Sequence, residues 1–457
     1  MKKNENVNVN KMSRRKFVAS SAAATMAFTI VPSHVLGTSS NAAPSNKLNI
    51  AGIGAGGMGG GNLNAMAAEN IVALCDVDDK RAAGTYKKFP NAKKYTDFRK
   101  MLEAEGKNID AVLVATPDHT HAVASMMAIK MGKHVYCQKP LTHTVYEARK
   151  LTEAAREHKV ATQMGNQGHS GEGIRLICEW IADGAIGPVR HVHCWTNRPV
   201  WPQGIGRPKE TPPVPKTLNW DLWLGPAKQR PYHPTYLPFN WRAWLNFGTG
   251  SLGDMGCHIM DASYTALKLG SPITVQASCA ETVVQMWKKV RNTETYPHAC
   301  IVHYEFPERG DMPPVQFHWY DGGLRPQLPP DLEIGRSIPE SGTIFIGDKG
   351  TIMSGTYGGD ARIVPETKMQ AYKRPPKTLA RIKGSHEQNW IDACKGGEPA
   401  CSNFDYAGPF TETVLLGNLA VRHPGQKLLW DGANMKVTNN EEANALVNKE
   451  YRQGWSL

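Results

Sequence analysis

Short apolar runs alternate with amphipathic stretches over the first third of this chain. "KLNIAGIGAGG" enters a glycine turn, "NIVALCDVD" ends in an acid, and "IDAVLVATPDHTH" and "KHVYCQKPLTH" follow. Each core run is too short for a typical helix and is bounded by turn residues, the pattern of strands buried on both faces. Between them lie "GGNLNAMAAE", "DKRAAGTYKKF", "HAVASMMAIKMG" and "VYEARKLTEAAREH", which read as helices. Strands alternating with helices of this length predict a doubly wound parallel sheet with helices on both faces. "VATQMGNQGH" fits the last strand, which bounds the first domain at 47–170, and "GEGIRLICEWIADGAIG" reads as a linking helix.

From about Pro188 the period shortens to two. "VRHVHCWTN", "ITVQASCAETVVQMW", "ACIVHYEF", "PVQFHWYDG" and "GTIFIGDKGTIMSG" are alternating or β-branched runs bounded by Gly and Pro. They predict a second, open and mainly antiparallel sheet over 171–385, so the fold class is α/β followed by α+β. "SHEQNWIDACKGG" and "FTETVLLGNLAVR" read as closing helices of a segment, 386–457, that packs back on the core. Residues 196–250 interrupt the pattern. Ten of the 31 prolines lie between Pro199 and Pro238, and six of the 12 tryptophans between Trp195 and Trp244. A disordered linker is poor in Trp, so this insert is expected to be ordered and packed.

Composition changes the picture mainly at the N-terminus. Ser13-Arg14-Arg15-Lys16-Phe17 precedes a mostly small and apolar run, Val18 to Val31, and Val35 and Gly37 offer a cleavage site. The run is shorter than the roughly 20 residues a bilayer span needs. Residues 1–37 therefore resemble a twin-arginine signal peptide, whose route carries folded proteins across the membrane. They hold six basic residues against one acid, so 7 of the 12 net positive charges stay with the mature chain. No basic run with interleaved aromatics suggests a nucleic-acid partner, and no apolar stretch suggests a membrane span. Nine scattered cysteines without C-x-x-C spacing read as buried thiols, with no metal site among them.

Chemistry enters at the glycine turn. Gly52, Gly54 and Gly57 satisfy G-x-G-x-x-G after a strand and at a helix start, and with Met58 they are expected cofactor contacts. The first glycine makes the turn, the second admits a pyrophosphate to the backbone, and the third lets helix and strand pack closely. Asp76 ends the second strand, 22 residues beyond Gly54, where a carboxylate binds a ribose 2′-OH and repels a 2′-phosphate. The expected cofactor is NAD, in a Rossmann domain. Lys139-Pro140 follows the fourth strand, at the sheet edge where ligands bind. Asp254 and His258, four apart, share a face if helical, and a carboxylate beside an imidazole supports the cation formed on proton uptake.

Taken together, the glycine turn with Asp76, Thr116-Pro117 with His121, Lys139-Pro140 and the Asp254/His258 pair resemble the glucose–fructose oxidoreductase / inositol dehydrogenase (Gfo/Idh/MocA) family. The resemblance runs from about Lys47 to Trp430. It implies hydride transfer at a carbinol of a sugar or cyclitol, with Thr116, Pro117, His121, Gln138 and Lys139 beside the dinucleotide. Lys139 would bond the reacting oxygen, and His258, braced by Asp254, would shuttle its proton. Gln138 stands where the family usually has Glu, which by charge alone leaves the Lys139 ammonium less supported.

Indoles beside polar groups suit sugar rings, so the insert is the expected substrate contact, through Trp241 and Arg242. Asn166, Gln167 and His169, after the last Rossmann strand, are further hydroxyl partners. The leading expectation is an exported, periplasmic NAD-dependent oxidoreductase for a sugar or glycoside, for instance at C3 of a glucoside. Its cofactor would be tightly held and recycled on the enzyme. An NAD-dependent glycosidase that oxidises, eliminates, hydrates and reduces is the alternative, and a non-catalytic sugar sensor is the third reading. Open sheets of this kind commonly pair, so a homo-oligomer is expected.

Overall fold

Six parallel strands run in the order β3-β2-β1-β4-β5-β6 in the first sheet of the computed structural model, which describes residues 46–457. The signal-like residues 1–37 lie outside the described residues. The strands are β1 (Asn49–Ile53), β2 (Asn70–Cys75), β3 (Lys93–Tyr95), β4 (Ala111–Val114), β5 (His134–Cys137) and β6 (Thr162–Met164). Helices α1 (Met58–Ala65), α2 (Asp79–Lys88), α3 (Phe98–Glu105), α4 (Asp118–Lys130) and α5 (Val145–His158) connect them. Every residue of β4 is buried, as a continuous apolar run sandwiched between helices requires. Strand order reverses between β1 and β4, and ligands of such sheets bind at that switch point. β3 and α3, which the apolar pattern does not announce, complete the sheet edge; Asp97 caps α3 by accepting from the Arg99 N–H.

After α6 (Glu172–Ala182) a nine-stranded sheet begins with β7 (Val189–Trp195). Its order is β15-β14-β13-β7-β12-β11-β8-β16-β17, from β8 (Thr274–Cys279), β11 (Cys300–Phe306), β12 (Val315–Tyr320), β13 (Gly342–Gly347), β14 (Gly350–Ser354), β15 (Arg362–Val364), β16 (Lys427–Asp431) and β17 (Lys436–Val437). Only the β7–β12 pair is parallel. The run "ITVQASCAETVVQMW" does not stay in this sheet. It leaves at Cys279, and β9 (Thr282–Gln285) and β10 (Lys288–Val290) form a separate hairpin with Trp287 exposed.

Four further helices, α7 (Trp220–Leu224), α8 (Gly250–Ile259), α9 (Asp261–Ala266) and α10 (His386–Cys394), surround the junction of the sheets, and α11 (Phe404–Arg422) closes it. α11 is buried along most of its length and packs on α5 on one side and on β8 and β11 on the other. Trp390 of α10 lies in the Rossmann core beside Tyr136. Residues 48–457 accordingly make one compact unit.

The Pro- and Trp-rich insert builds a core of its own. Trp201, Trp220, Trp223, Tyr236, Trp241, Trp244 and Phe247 cluster together, with Trp220 stacked on Trp223 at 4.8 Å. Two backbone bonds, Asp79 N–H to Thr217 O (3.0 Å) and Asn219 N–H to Val77 O (2.8 Å), clip the insert to the β2–α2 loop. All nine cysteines carry free thiols, five of them buried. Among the described residues no helix is long and apolar enough to cross a membrane, and no group of three or more His, Cys, Asp or Glu is placed to hold a metal.

Candidate functional site

The glycine turn opens a cleft of about 360 Å³ along the carboxyl ends of β1, β2, β4 and β5. Gly54 has φ +84°, and a Cβ there would lie 2.5 Å from the Ala115 carbonyl oxygen, so only glycine fits. Gly52 lies beneath the cleft in β1, where the Leu63 and Leu74 side chains close on it. Gly57 caps α1 without a side-chain partner, and no acid occupies the first turn. The free N–H groups there meet the needs of a diphosphate. Asp76 has a task the sequence reading did not assign. Its carboxylate accepts from the N–H groups of Ala55 (2.8 Å), Gly56 (3.0 Å) and Asp78 (3.0 Å), so it shapes the turn as well as lining the cleft. Burial raises its pKa, and those N–H groups pull it back.

Gly54, Gly57, Met58, Asp76, Thr116, Pro117, His121, Gln138 and Lys139 all line this cleft. His121 does so with both ring nitrogens engaged, Nδ1 on Pro140 O and Nε2 on Thr116 O, each at 2.8 Å. Two carbonyl partners call for two N–H donors, so the ring is an imidazolium. Burial opposes that charge, but Cys137, Asp118 and the Pro140 carbonyl outweigh it and raise the pKa to about 9. His121 therefore ties the β4 and β5 ends together.

Two remote segments roof the cleft. From the insert come Leu222, Trp223, Leu237, Pro238, Phe239, Trp241 and Arg242; from the tail comes Trp455. The Arg99 guanidinium lies 4.2 Å from the Trp455 ring centre, and Arg99 also donates to Gly454 O. Arg452 holds the tail to the insert through Asp221 and Gly225 O.

At the other end of the cleft, Lys139 Nζ donates to Asp254 Oδ1 (2.9 Å) and to the Asp254 carbonyl (2.7 Å). Asp254 also accepts from Arg242 Nε at 2.9 Å, and Arg198 Nε stands 3.4 Å from its second oxygen. Arg242 is wedged over Phe239 and Trp241, 4.0 and 4.2 Å from the ring centres. Burial alone would raise the Asp254 carboxyl, but Lys139 and Arg242 hold it well below the usual range. The expected brace of Asp254 on His258 is therefore absent: both lie on α8, yet the carboxylate is spent on the three cations. The negative partner of Lys139 comes from α8.

Gln138 donates from Nε2 to Asn62 Oδ1 (2.8 Å), whose amide donates to Glu387 (2.9 Å). A Glu at 138 would face an acceptor and sit one residue from a second carboxylate. We expect Gln138→Glu to destabilise the protein by roughly 1–3 kcal/mol, the cost of an unsatisfied buried polar group, read from denaturant midpoints.

His258 is buried, its ring edge-on to Tyr357 at 5.0 Å, and its Nδ1 has no hydrogen-bond partner. Burial and the nearby Lys139 ammonium lower its pKa to about 3. In the unfolded chain the ring takes a proton near pH 6.5, which the native protein refuses until pH approaches the folded value. Stability from this group is whole above pH 6.5 and declines as pH falls through that window. Denaturant midpoints of His258→Gln should thus lose less than wild type between pH 6.5 and 4; parallel curves would refute this.

The remaining sugar-contact expectations divide. Trp241 and Arg242 line the cleft, and Gln167 is exposed. Asn166 is fully buried with its amide spent on Asp261 (3.1 Å) and Ser402 (2.6 Å), so it cannot serve a substrate hydroxyl. His169 donates Nδ1 to Asp261 at 2.8 Å, and Tyr406 joins the same carboxylate. Asp261, central to this network, escaped the sequence reading, although it lies three residues beyond His258, at the start of the next helix. Trp195, Trp201 and Trp244 are buried with their indole N–H groups bonded internally, so they anchor the chain.

A glycine turn at the switch point of a Rossmann sheet, with a Lys–Asp pair at the far end of its cleft, defines a dinucleotide-binding class of protein. The chain belongs to the Gfo/Idh/MocA oxidoreductase family. Residues 48–166 match its NAD-binding Rossmann fold and 195–310 its C-terminal alpha/beta domain, together just over half the chain. Inositol 2-dehydrogenase of Rubrobacter xylanophilus is 31% identical over 153 residues, 31% of this chain and 42% of that protein. Levoglucosan dehydrogenase of Pseudarthrobacter phenanthrenivorans is 23% identical over 230 residues, 47% of this chain and 50% of that one. The chain thus spans about half the length of the curated relatives it matches. The structure of the WlbA dehydrogenase from Bordetella pertussis, in complex with NADH and UDP-GlcNAcA, shares the fold. It covers 84% of this chain and 99% of its own, with TM-score 0.57 and 15% identity.

Proposed function

We infer that this protein is an exported NAD-dependent oxidoreductase acting on a sugar or glycoside, with a cofactor held through many turnovers. The observation that carries the chemistry is the position of Lys139. Two of its three N–H groups are fixed by Asp254, which leaves one to hold the oxygen of a reacting carbinol at the cleft end. His258, buried and neutral beside Lys139, is the proposed acceptor for the carbinol proton, and bound substrate must reach the ring and raise its proton affinity for it to act. NAD, when bound, accepts the hydride. Asp254 orients Lys139 and Arg242 in place of bracing the histidine.

The roof of insert and tail supports tight retention, because release must displace both. That fits a compartment without free dinucleotide, and it fits the paired arginines Arg14 and Arg15, whose export route takes folded cargo. We assign the protein to the periplasm on the same reading, and expect a homo-oligomer because open sheets of this kind commonly pair. Oxidation at C3 of a glucoside is the specific form tested first.

The purified mature protein is expected to release dinucleotide on denaturation, and glucosides should raise absorbance at 340 nm with a ketosugar two mass units lighter. A freed aglycone without net reduction would instead mark the oxidation–elimination glycosidase. Bound sugar with no chemistry would mark a sensor.

A further inference from the structure

We propose that the substrate is an anionic sugar, carrying a carboxylate or a phosphate ester, and that Arg198 is the residue that meets its charge. The inference rests on the sugar oxidoreductase reading and adds the charge of the substrate to it.

Charge around the reacting end of the cleft does not balance. Lys139, Arg242 and Arg198 converge on Asp254, and among the described residues none of the three has another carboxylate within 4 Å. Asp118, the other acid nearby, is buried, bonded by Thr249 and shared among the His121, Arg242 and Lys139 cations. Four cations against two acids leave two positive charges over at this end of the cleft.

Lys139 and Arg242 line the dinucleotide cleft, whereas Arg198 does not. It approaches Asp254 at Oδ2, the oxygen that Lys139 and Arg242 leave unbonded. Its guanidinium is under-used: Nε is buried without a hydrogen bond, misaligned on Asp254 at 3.4 Å, and only NH1 has a partner, Asn197 Oδ1 at 2.6 Å. The backbone beneath it is fixed, because the Gly322 N–H donates to Arg198 O at 2.7 Å. A planar fork on a rigid support, with donors to spare, is suited to a carboxylate or phosphate.

The test is calorimetric titration of the NAD-loaded protein with matched pairs: glucose and glucuronate, galactose and galacturonate, and glucose 6-phosphate. At least one acid should bind tenfold tighter than its neutral partner, with an advantage that shrinks in 0.5 M salt on the order expected for screened charges. In Arg198→Gln the ratio of the two affinities should fall at least fivefold, and Arg198→Lys should recover part of it. Whether the uronate or the phosphate binds tighter identifies the anion. Equal binding of acid and neutral sugar, binding of no acid, or equal weakening of both by Arg198→Gln overturns the proposal. If the Gln variant does not fold, the wild-type ratios decide. Acid binding that depends on Arg198 with no reduction of NAD by any sugar would remove the oxidoreductase reading and leave this one. NADH formed from neutral sugars without preference for acids would do the reverse.

Discussion

Lys139→Met should slow reduction of bound NAD by about 10²–10⁴-fold, the range for losing a positioned acid–base group. Dinucleotide content should stay at the wild-type level. The lysine lines the cleft and bonds Asp254, so its loss strips the reacting oxygen of its donor without dismantling the glycine turn. Asp254 remains paired with Arg242 at 2.9 Å, which protects the fold. Asp254→Ala is different in kind: it leaves three cations facing one another and should cost stability of about 3–5 kcal/mol. Single-turnover spectra at 340 nm beside denaturant midpoints separate the two. A Lys139→Met protein with wild-type turnover would remove the catalytic assignment.

The second large effect concerns retention. In the double variant Arg452→Ala, Trp455→Ala, bound NAD should dissociate about tenfold faster, since a desolvated cation–π contact alone is worth up to about 2 kcal/mol. The tail is held by Arg99 under Trp455 and by Arg452 on Asp221, so both anchors must go together. Dinucleotide remaining after repeated desalting is the measurement. Equal retention in variant and wild type would mean the insert alone closes the groove. Turnover per loaded enzyme should change little, because neither residue bonds Lys139 or Asp254.

The alternation of short apolar runs with amphipathic stretches was enough to place the parallel sheet, and the glycine motif to place its turn, because buried strands and packing helices leave direct marks in local sequence; the strand order did not. β3 and α3 left none: β3 is three residues, two of them exposed lysines. The Asp254–His258 spacing predicted the helix correctly and the partnership wrongly. Spacing reports which side chains share a face, but not that Lys139, Arg242 and Arg198, from remote segments, would claim the carboxylate first. The insert was legible as ordered from its tryptophans, though not where it would pack. Only the tertiary structure shows that Trp195, Trp201 and Trp244 face inward while Trp241 lines the cleft.

The roof over the dinucleotide groove also bears on how the molecule is made. Arg99 meets Gly454 across 355 positions of sequence, and Arg452 meets Asp221 across 231. Contacts so distant in the chain form late, after the entropy of closing large loops has been overcome. A partly folded chain can own a complete glycine turn and still lack a closed groove. If NAD is retained as proposed, the fraction of purified molecules that carry dinucleotide reports how many closed the groove while it was bound, and native mass spectrometry would read that yield directly.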